Sequence, residues 1–307
     1  MSKTKSTQGK KSNNDIRSEN LDKIQETCSH TVKYKYSTFD ELREQGEYNF
    51  YGMIYDASFP EEETQNDSKK NSSKYVCVLK LIDQSTNCLS NPSNFNDSII
   101  YLVIKASEKE NVPFVHHIGD IIRVHSGLYA PKHRRTVYLN VLKDNKLKGS
   151  WAIFSVDSNS NEPSSCSNKK FTVESEDKQV IDSMKTWVKK YSSIDKSLVY
   201  EYQKKLENRI TEGDDKDLLV HVVKKVSLDD QLVLFIQDDT DGCELHTYKY
   251  YDFVEENDII RVRSYKVFDS NNLVVNEHGN ILIVPTYSSE YKNLINALLK
   301  KLKNGEK

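Results

Sequence analysis

Seven basic residues crowd the stretch between Arg123 and Lys148: Arg123, Lys132, Arg134, Arg135, Lys143, Lys146 and Lys148. Asp144 alone opposes them, a local balance of +6, and Tyr129, Tyr138 and Trp151 lie within or beside the run. Basic side chains track phosphates, and flat rings give unpaired bases a surface to stack on. The plainer reading is a solvated charged hairpin with its aromatics in a core. Strand alternation separates the rings: Val137, Leu139 and Val141 point inward, so Thr136, Tyr138 and Asn140 point outward and Tyr138 is a surface ring. Trp151 sits in an apolar run and reads as core. Eighteen tyrosines suit single-stranded bases, although tyrosine is also a common strand residue.

Other chemistries find less support. His116, His117, His125 and His133 are close in sequence, but no H-x-x-x-H or H-E-x-x-H spacing occurs. The acidic run Asp238-Asp239-Thr240-Asp241-Gly242 lacks calcium-loop spacing and reads as a tight turn. Asp214, Asp215, Asp229 and Asp230 likewise look like turn residues. There is no phosphate loop, no dinucleotide fingerprint and no nucleophile elbow. No cofactor and no metal is expected.

The chain that positions these residues has 307 residues, room for two ordinary domains or one large one. Its mean hydropathy is −0.70, and 36% hydrophobic residues fill two small cores more readily than one large α/β core. Net charge is −2, so a nucleic-acid partner must be argued from where charges sit. The longest apolar runs, such as Ile99–Ile104, fall far short of the roughly 20 residues of a membrane span. The polar N-terminus has no signal-peptide core. Five widely spaced cysteines with no C-x-x-C point to a reducing compartment, cytosol or nucleus.

Residues 1–31 are polar and expected to be disordered. Aromatic and β-branched runs then predict strands at Tyr48–Phe59, Lys74–Asp83, Ser98–Lys105, Gly119–Ser126 and Arg135–Leu142. Five short strands with few helix signals predict a small closed antiparallel barrel. Beyond a Pro/Ser/Asn linker, Val180, Ile181, Met184, Trp187 and Val188 share a helix face, and Leu198, Val199, Tyr202 and Leu206 predict another helix. Strands return from Leu218, and a last helix, N-capped by Ser289, carries an apolar stripe including Leu294 and Leu298.

One repeat organises the whole. Asp120-Ile121-Ile122-Arg123-Val124-His125-Ser126 recurs as Asp258-Ile259-Ile260-Arg261-Val262-Arg263-Ser264, identical at six of seven positions. Ile122 and Val124 share one face of that strand; Ile121, Arg123 and His125 share the other. Leu79–Asp83 and Leu234–Asp238 are a second echo, apolar strands that end on an aspartate. The expectation is a β-dominated protein with two tandem OB-fold Greek-key barrels: 32–156, then a helical segment 157–212, then 213–307 with a C-terminal helix.

The run Asn111–His125 (NVPFVHHIGDIIRVH) resembles the telomere end-binding protein alpha subunits of ciliates and the wider protection-of-telomeres family, as do Tyr51–Pro60 (YGMIYDASFP), Tyr75–Asp83 (YVCVLKLID) and Ser150–Ser155 (SWAIFS). The likeness is dense over the first barrel and thinner through Val284. It implies two OB-folds that together hold the G-rich 3′ strand of telomeric DNA, no enzyme activity, and a nuclear location at chromosome ends. By position it implies DNA contacts from Lys74, Tyr75, Lys80 and Tyr129 in the first barrel and Arg261, Arg263 and His278 in the second. Arg134, Arg135 and Tyr138 join them from the basic patch. The chain departs from the family pattern at the polar Asp229–Gln231 and at Gly279, where the family has aromatics. Longer members carry a third OB-fold that docks a partner subunit; this chain ends at Lys307, leaving that role absent or on another surface. A second telomere protein subunit and self-association are both open as partnerships. The rivals are a general single-strand binder of the replication type and an OB-fold protein-interaction scaffold whose C-terminal helix docks a partner.

Overall fold

A computed structural model describes residues 34–63, 74–85, 98–131, 135–141, 149–167, 172–194, 203–208 and 217–305. The expected tail and most of the second inter-barrel helix (195–202) lie outside them. The first barrel begins with a 3-10 turn, Phe39–Glu41, and continues through β1 (Gly46–Ala57), β2 (Glu61–Glu62), β3 (Tyr75–Ile82) and β4 (Ile100–Ala106). β5 (Ile121–Ala130), β6 (Thr136–Val141), β7 (Ser150–Phe154) and β8 (Ser165–Cys166) complete its sheet, and helix α1 (Ser175–Ser192) follows. A short β9 (Gln203–Lys204) and a turn, Leu206–Asn208, lead into β10 (Asp217–Ser227), β11 (Gln231–Gln237), β12 (Gly242–Tyr248), β13 (Ile259–Val267) and β14 (Asn272–Ile283). Helix α2 (Ser289–Lys303) comes last.

Each barrel closes in the same order. In the first, β1 pairs antiparallel with β3, β3 with β4, β4 parallel with β6, β6 antiparallel with β5, and β5 returns to β1. In the second the ring is β10, β11, β12, β14, β13 and back to β10, with β12–β14 the parallel pair. This five-stranded Greek-key closure is the OB-fold. The repeated heptapeptides open the strand that is fourth in chain order in each ring, β5 and β13. Both end on a serine in the left-handed region, Ser126 at φ 55° and Ser264 at φ 57°, where the register of each strand slips. A bulge there bends the strand from one neighbour to the next.

The aspartate echo has a structural cause. Asp83 ends β3 buried and accepts the backbone N–H of Phe39 at 2.7 Å and of Ser85 at 3.0 Å. Asp238 ends β11 buried and accepts from Leu206 at 2.8 Å and Thr240 at 2.7 Å. Each carboxylate ties a preceding one-turn helix to its barrel and satisfies N–H groups at the turn's start. Phe39 and Leu206 thereby enter the two barrel cores. The Leu206 spacing thus marks a buried turn, beside the short strand β9 paired to β10, where the sequence predicts helix.

Alternation on β5 holds as expected. Ile122 and Val124 enter the barrel core, whereas Ile121 faces a second apolar layer under α1 with Ile181, Met184 and Val188. Asp177 in the first turn of α1 bonds the backbone N–H of Glu174 at 3.0 Å and so starts the helix. The N-cap of α2 is Ser288, whose hydroxyl accepts from Tyr291 N at 3.1 Å, one residue before the expected Ser289. Leu294 and Leu298 of α2 belong to the same core cluster as Ile118, Leu282 and Val284.

Candidate nucleic-acid interface

The two barrels meet along a seam of backbone and side-chain bonds. Ile118 N donates to Ile283 O at 3.0 Å, Ile283 N to His116 O at 2.8 Å, and Asn280 Nδ2 to Ala57 O at 3.0 Å. Their cores interlock, because Ile259, Leu282 and Val284 of the second barrel pack within the first barrel's cluster. Phe59 and Phe114 in turn pack against the second.

At the seam lies a knot of five charges. Asp56 of β1, almost wholly buried, is 2.9 Å from Lys80 Nζ and 2.7 Å from Arg263 Nη1, and it also pairs with Arg261. Asp217 stands 3.4 Å from both Arg261 and Arg263. Burial by itself would raise the Asp56 carboxyl, but Arg261, Arg263 and Lys80 together draw it down to about 2. Three cations against two carboxylates leave a surplus of positive charge. Arg261 is enclosed, while the Lys80 and Arg263 side chains remain 32% and 33% exposed. Of the residues singled out in the sequence, Lys80, Arg261 and Arg263 are therefore brought together. Arg261 joins the barrels, and Lys80 of the first barrel and Arg263 of the second meet at the same Asp56 oxygen, both part-exposed.

Lys80 opens onto the outer face of the first barrel. Cross-strand partners there are Lys80 and Tyr101, Val78 and Val103, and Val76 and Lys105. Tyr138 pairs beside Val103 and next to the exposed Leu128, so it is an outward ring as alternation requires. Lys74 at the start of this face is exposed, 3.0 Å from Glu62 and 5.1 Å from the Tyr75 ring centre. Tyr75 itself turns partly toward the core.

Other expected site residues have different surroundings. Tyr129 is 4% exposed and edge-on to Tyr48 at 6.3 Å, inside the barrel. Arg135 donates to the carbonyls of Phe39 at 2.5 Å and Ser98 at 3.4 Å, holding the Phe39 turn. Arg123, counted in the basic patch, is buried: it donates to Asp177 at 2.9 Å and to Thr172 O at 3.2 Å, and so fastens α1. It adds no charge to the surface. Lys132, Arg134, Lys143, Lys146 and Lys148 lie outside the described residues, as does the side chain of His278 on β14.

Sequence reasoning missed the second barrel's outer face. Phe235 of β11 stands there opposite Glu244 of β12, with Lys224 Nζ 5.7 Å over its ring. His246 lies 3.4 Å from Glu244. At the turn between β13 and β14, Phe268 is 78% exposed. Alternation within Leu232–Gln237 and the strand-4 position of the repeat were the available signals. The strand 2–3 face and the loops after strands 1 and 4 are where OB-folds take oligonucleotides. Gly279 explains one departure from the family pattern. A Cβ there would lie 2.7 Å from Ser264 O and 2.8 Å from Arg263 O, so the β13 bulge excludes any side chain.

The family described as "Telomeric single stranded DNA binding POT1/CDC13" matches residues 31–198, more than half of the chain. The chain belongs to that family. It is similar to the "Telomere-binding protein 51 kDa subunit" of Euplotes crassus, 26% identical over 85% of this chain and 60% of that protein. It is also similar to the "Telomere-binding protein subunit alpha" of Sterkiella nova, 25% identical over 76% of this chain and 50% of that protein. The chain thus spans about half to three-fifths of the length of these curated relatives. Among solved structures, that of fission yeast Pot1 with ssDNA overlaps 92% of this chain and 99% of that chain at 11% identity and a TM-score of 0.40. The fold assignment rests on the strand order described above.

Proposed function

We propose that this protein binds the G-rich single strand of telomeric DNA at its 3′ end and so protects or regulates access to chromosome ends. The observation that carries the reading is the charge knot at the barrel seam, which presents Lys80 from one barrel and Arg263 from the other around a net positive centre. Family membership supplies the ligand class. One strand would cross both barrels, its phosphates drawn to the seam and to Lys74, and its bases stacking on Tyr138 and the second barrel's rings. Arg134 and His278 belong to the same proposal. Stacking contributes roughly 1–3 kcal/mol per base. The protein acts by equilibrium binding without catalysis, and its place is the nucleus. Leu299 and Leu302 on the exposed side of α2 suit a second telomere subunit or another copy of the chain as partner.

The test is a competition titration at two salt concentrations, with labelled G-rich strand against scrambled DNA, the C-rich complement and RNA of the same sequence. Preference for G-rich DNA with a free 3′ end supports the proposal. Equal, salt-sensitive binding to every strand would make the protein a general single-strand binder, and no binding would leave a protein scaffold.

A further inference from the structure

We propose that Phe59, Tyr250 and Tyr248 form an additional base-stacking site for single-stranded DNA, placed where the barrel seam meets the end of β12. The site rests on the single-strand-binding reading but uses none of the residues that carried it. The three rings form a continuous stack: Phe59 and Tyr250 have centroids 4.9 Å apart at 28°, and Tyr250 and Tyr248 are 5.1 Å apart at 14°. Exposure rises along it, from the part-buried Phe59 to Tyr250 at 39% and Tyr248 at 43%. The two barrels contribute jointly, Phe59 from the segment leaving β1 and Tyr250 from the 3-10 turn Lys249–Tyr251 after β12. The inner end is fixed, since Phe59 meets Phe114 edge-on at 5.5 Å and Tyr250 leans on the buried Tyr251 at 4.6 Å.

The shape selects the ligand. Near-parallel rings in face contact leave no slot between them, whereas a proline-rich peptide docks into grooves between aromatic side chains. What the stack offers is its open end, and a flat ring completes it at the same spacing. Charge agrees with a phosphate-linked ligand. Lys109 Nζ lies 5.5 Å over the Phe59 ring, and the exposed Lys249, which separates the two tyrosines in sequence, donates to Asp229 O at 3.3 Å. Phe59 also follows Asp56 by three residues, so at most about 10 Å of backbone separates the stack from the seam.

The test is a coupled substitution on the full chain. A G-rich oligonucleotide is made as a series, each member with one base removed to leave an abasic sugar, and dissociation constants are measured for wild type, Tyr248→Ala and Tyr248→Phe. Tyr248→Ala should weaken binding of the intact strand by roughly 5- to 150-fold, and Tyr248→Phe should retain wild-type affinity. One abasic position should cost wild type affinity but cost Tyr248→Ala almost nothing, because ring and base act as a pair. Unchanged thermal melting of Tyr248→Ala would separate a lost stack from lost folding. Overturning results are an alanine variant with wild-type affinity, or abasic penalties that add to the alanine penalty at every position. Saturable binding of a polyproline peptide that is lost in Tyr248→Ala, with oligonucleotide affinity unmoved, would also overturn it. Failure of wild type to bind any oligonucleotide would reject the broader function instead.

Discussion

Replacing Asp56 with asparagine should loosen the join between the barrels. The substitution keeps the side chain's volume and removes its charge. Arg261 is enclosed, and its other carboxylate, Asp217, is 3.4 Å away and shared with Arg263. Lys80 and Arg263 are a third exposed and can turn to water. The cost therefore falls chiefly on one buried guanidinium, and lies near the lower end of the about 3–5 kcal/mol typical of breaking a buried pair. At roughly 2–4 °C per kcal/mol for a chain of this order, about 3 kcal/mol lowers Tm by roughly 6–12 °C. Differential scanning calorimetry reads this directly. Arg261→Met in the same background should recover part of the loss, since it removes the stranded charge. A Tm within about 1 °C of wild type would refute the account of the seam. The pH dependence has a definite sign. The Asp56 carboxyl is depressed to about 2, so its contribution is fully present above the unfolded value near 3.9. That contribution is lost as pH falls from about 4 through about 2, and is flat between pH 5 and 7.

Lys80→Ala and Arg263→Ala should each flatten the logarithmic salt dependence of single-strand binding by about 0.7, measured as dissociation constants over a salt series. Tyr138→Ala should weaken binding by about 1–3 kcal/mol with little change in Tm. Tyr129→Ala should lower Tm by removing a core ring, and its affinity should recover at temperatures where the variant is folded. Gly279→Ala should destabilise by about 1–3 kcal/mol in chemical denaturation, because its Cβ meets Val275 and two β13 carbonyls within 2.8 Å. A neutral result would show that the bulge yields.

Much of the fold is legible because strand alternation and the tandem repeat both report buried faces. The heptapeptide at Asp120 and Asp258 marks the strand that is fourth in chain order in each ring, and the aspartates at 83 and 238 mark the tie to each preceding turn. Local sequence says less about charge. Arg123 and Arg261 hold the same repeat position, yet one fastens α1 through Asp177 and the other joins the barrels through Asp56. Partners 54 and 205 residues away decide that difference. A run of basic residues therefore overstates a surface patch whenever a strand turns one of them under a helix. The ring stack at the seam stayed hidden for a related reason: Phe59 of the first barrel and Tyr250 of the second become neighbours only when the two barrels dock.

The central claim is that one DNA strand engages both barrels across the Asp56 seam. Hydrogen–deuterium exchange of the full chain, with and without a G-rich telomeric single strand, tests it most directly. Protection should appear together in peptides covering Tyr75–Ala106 and in those covering Gln231–Tyr251, at the same DNA concentration. Protection confined to one barrel, or appearing only on α2, would contradict it.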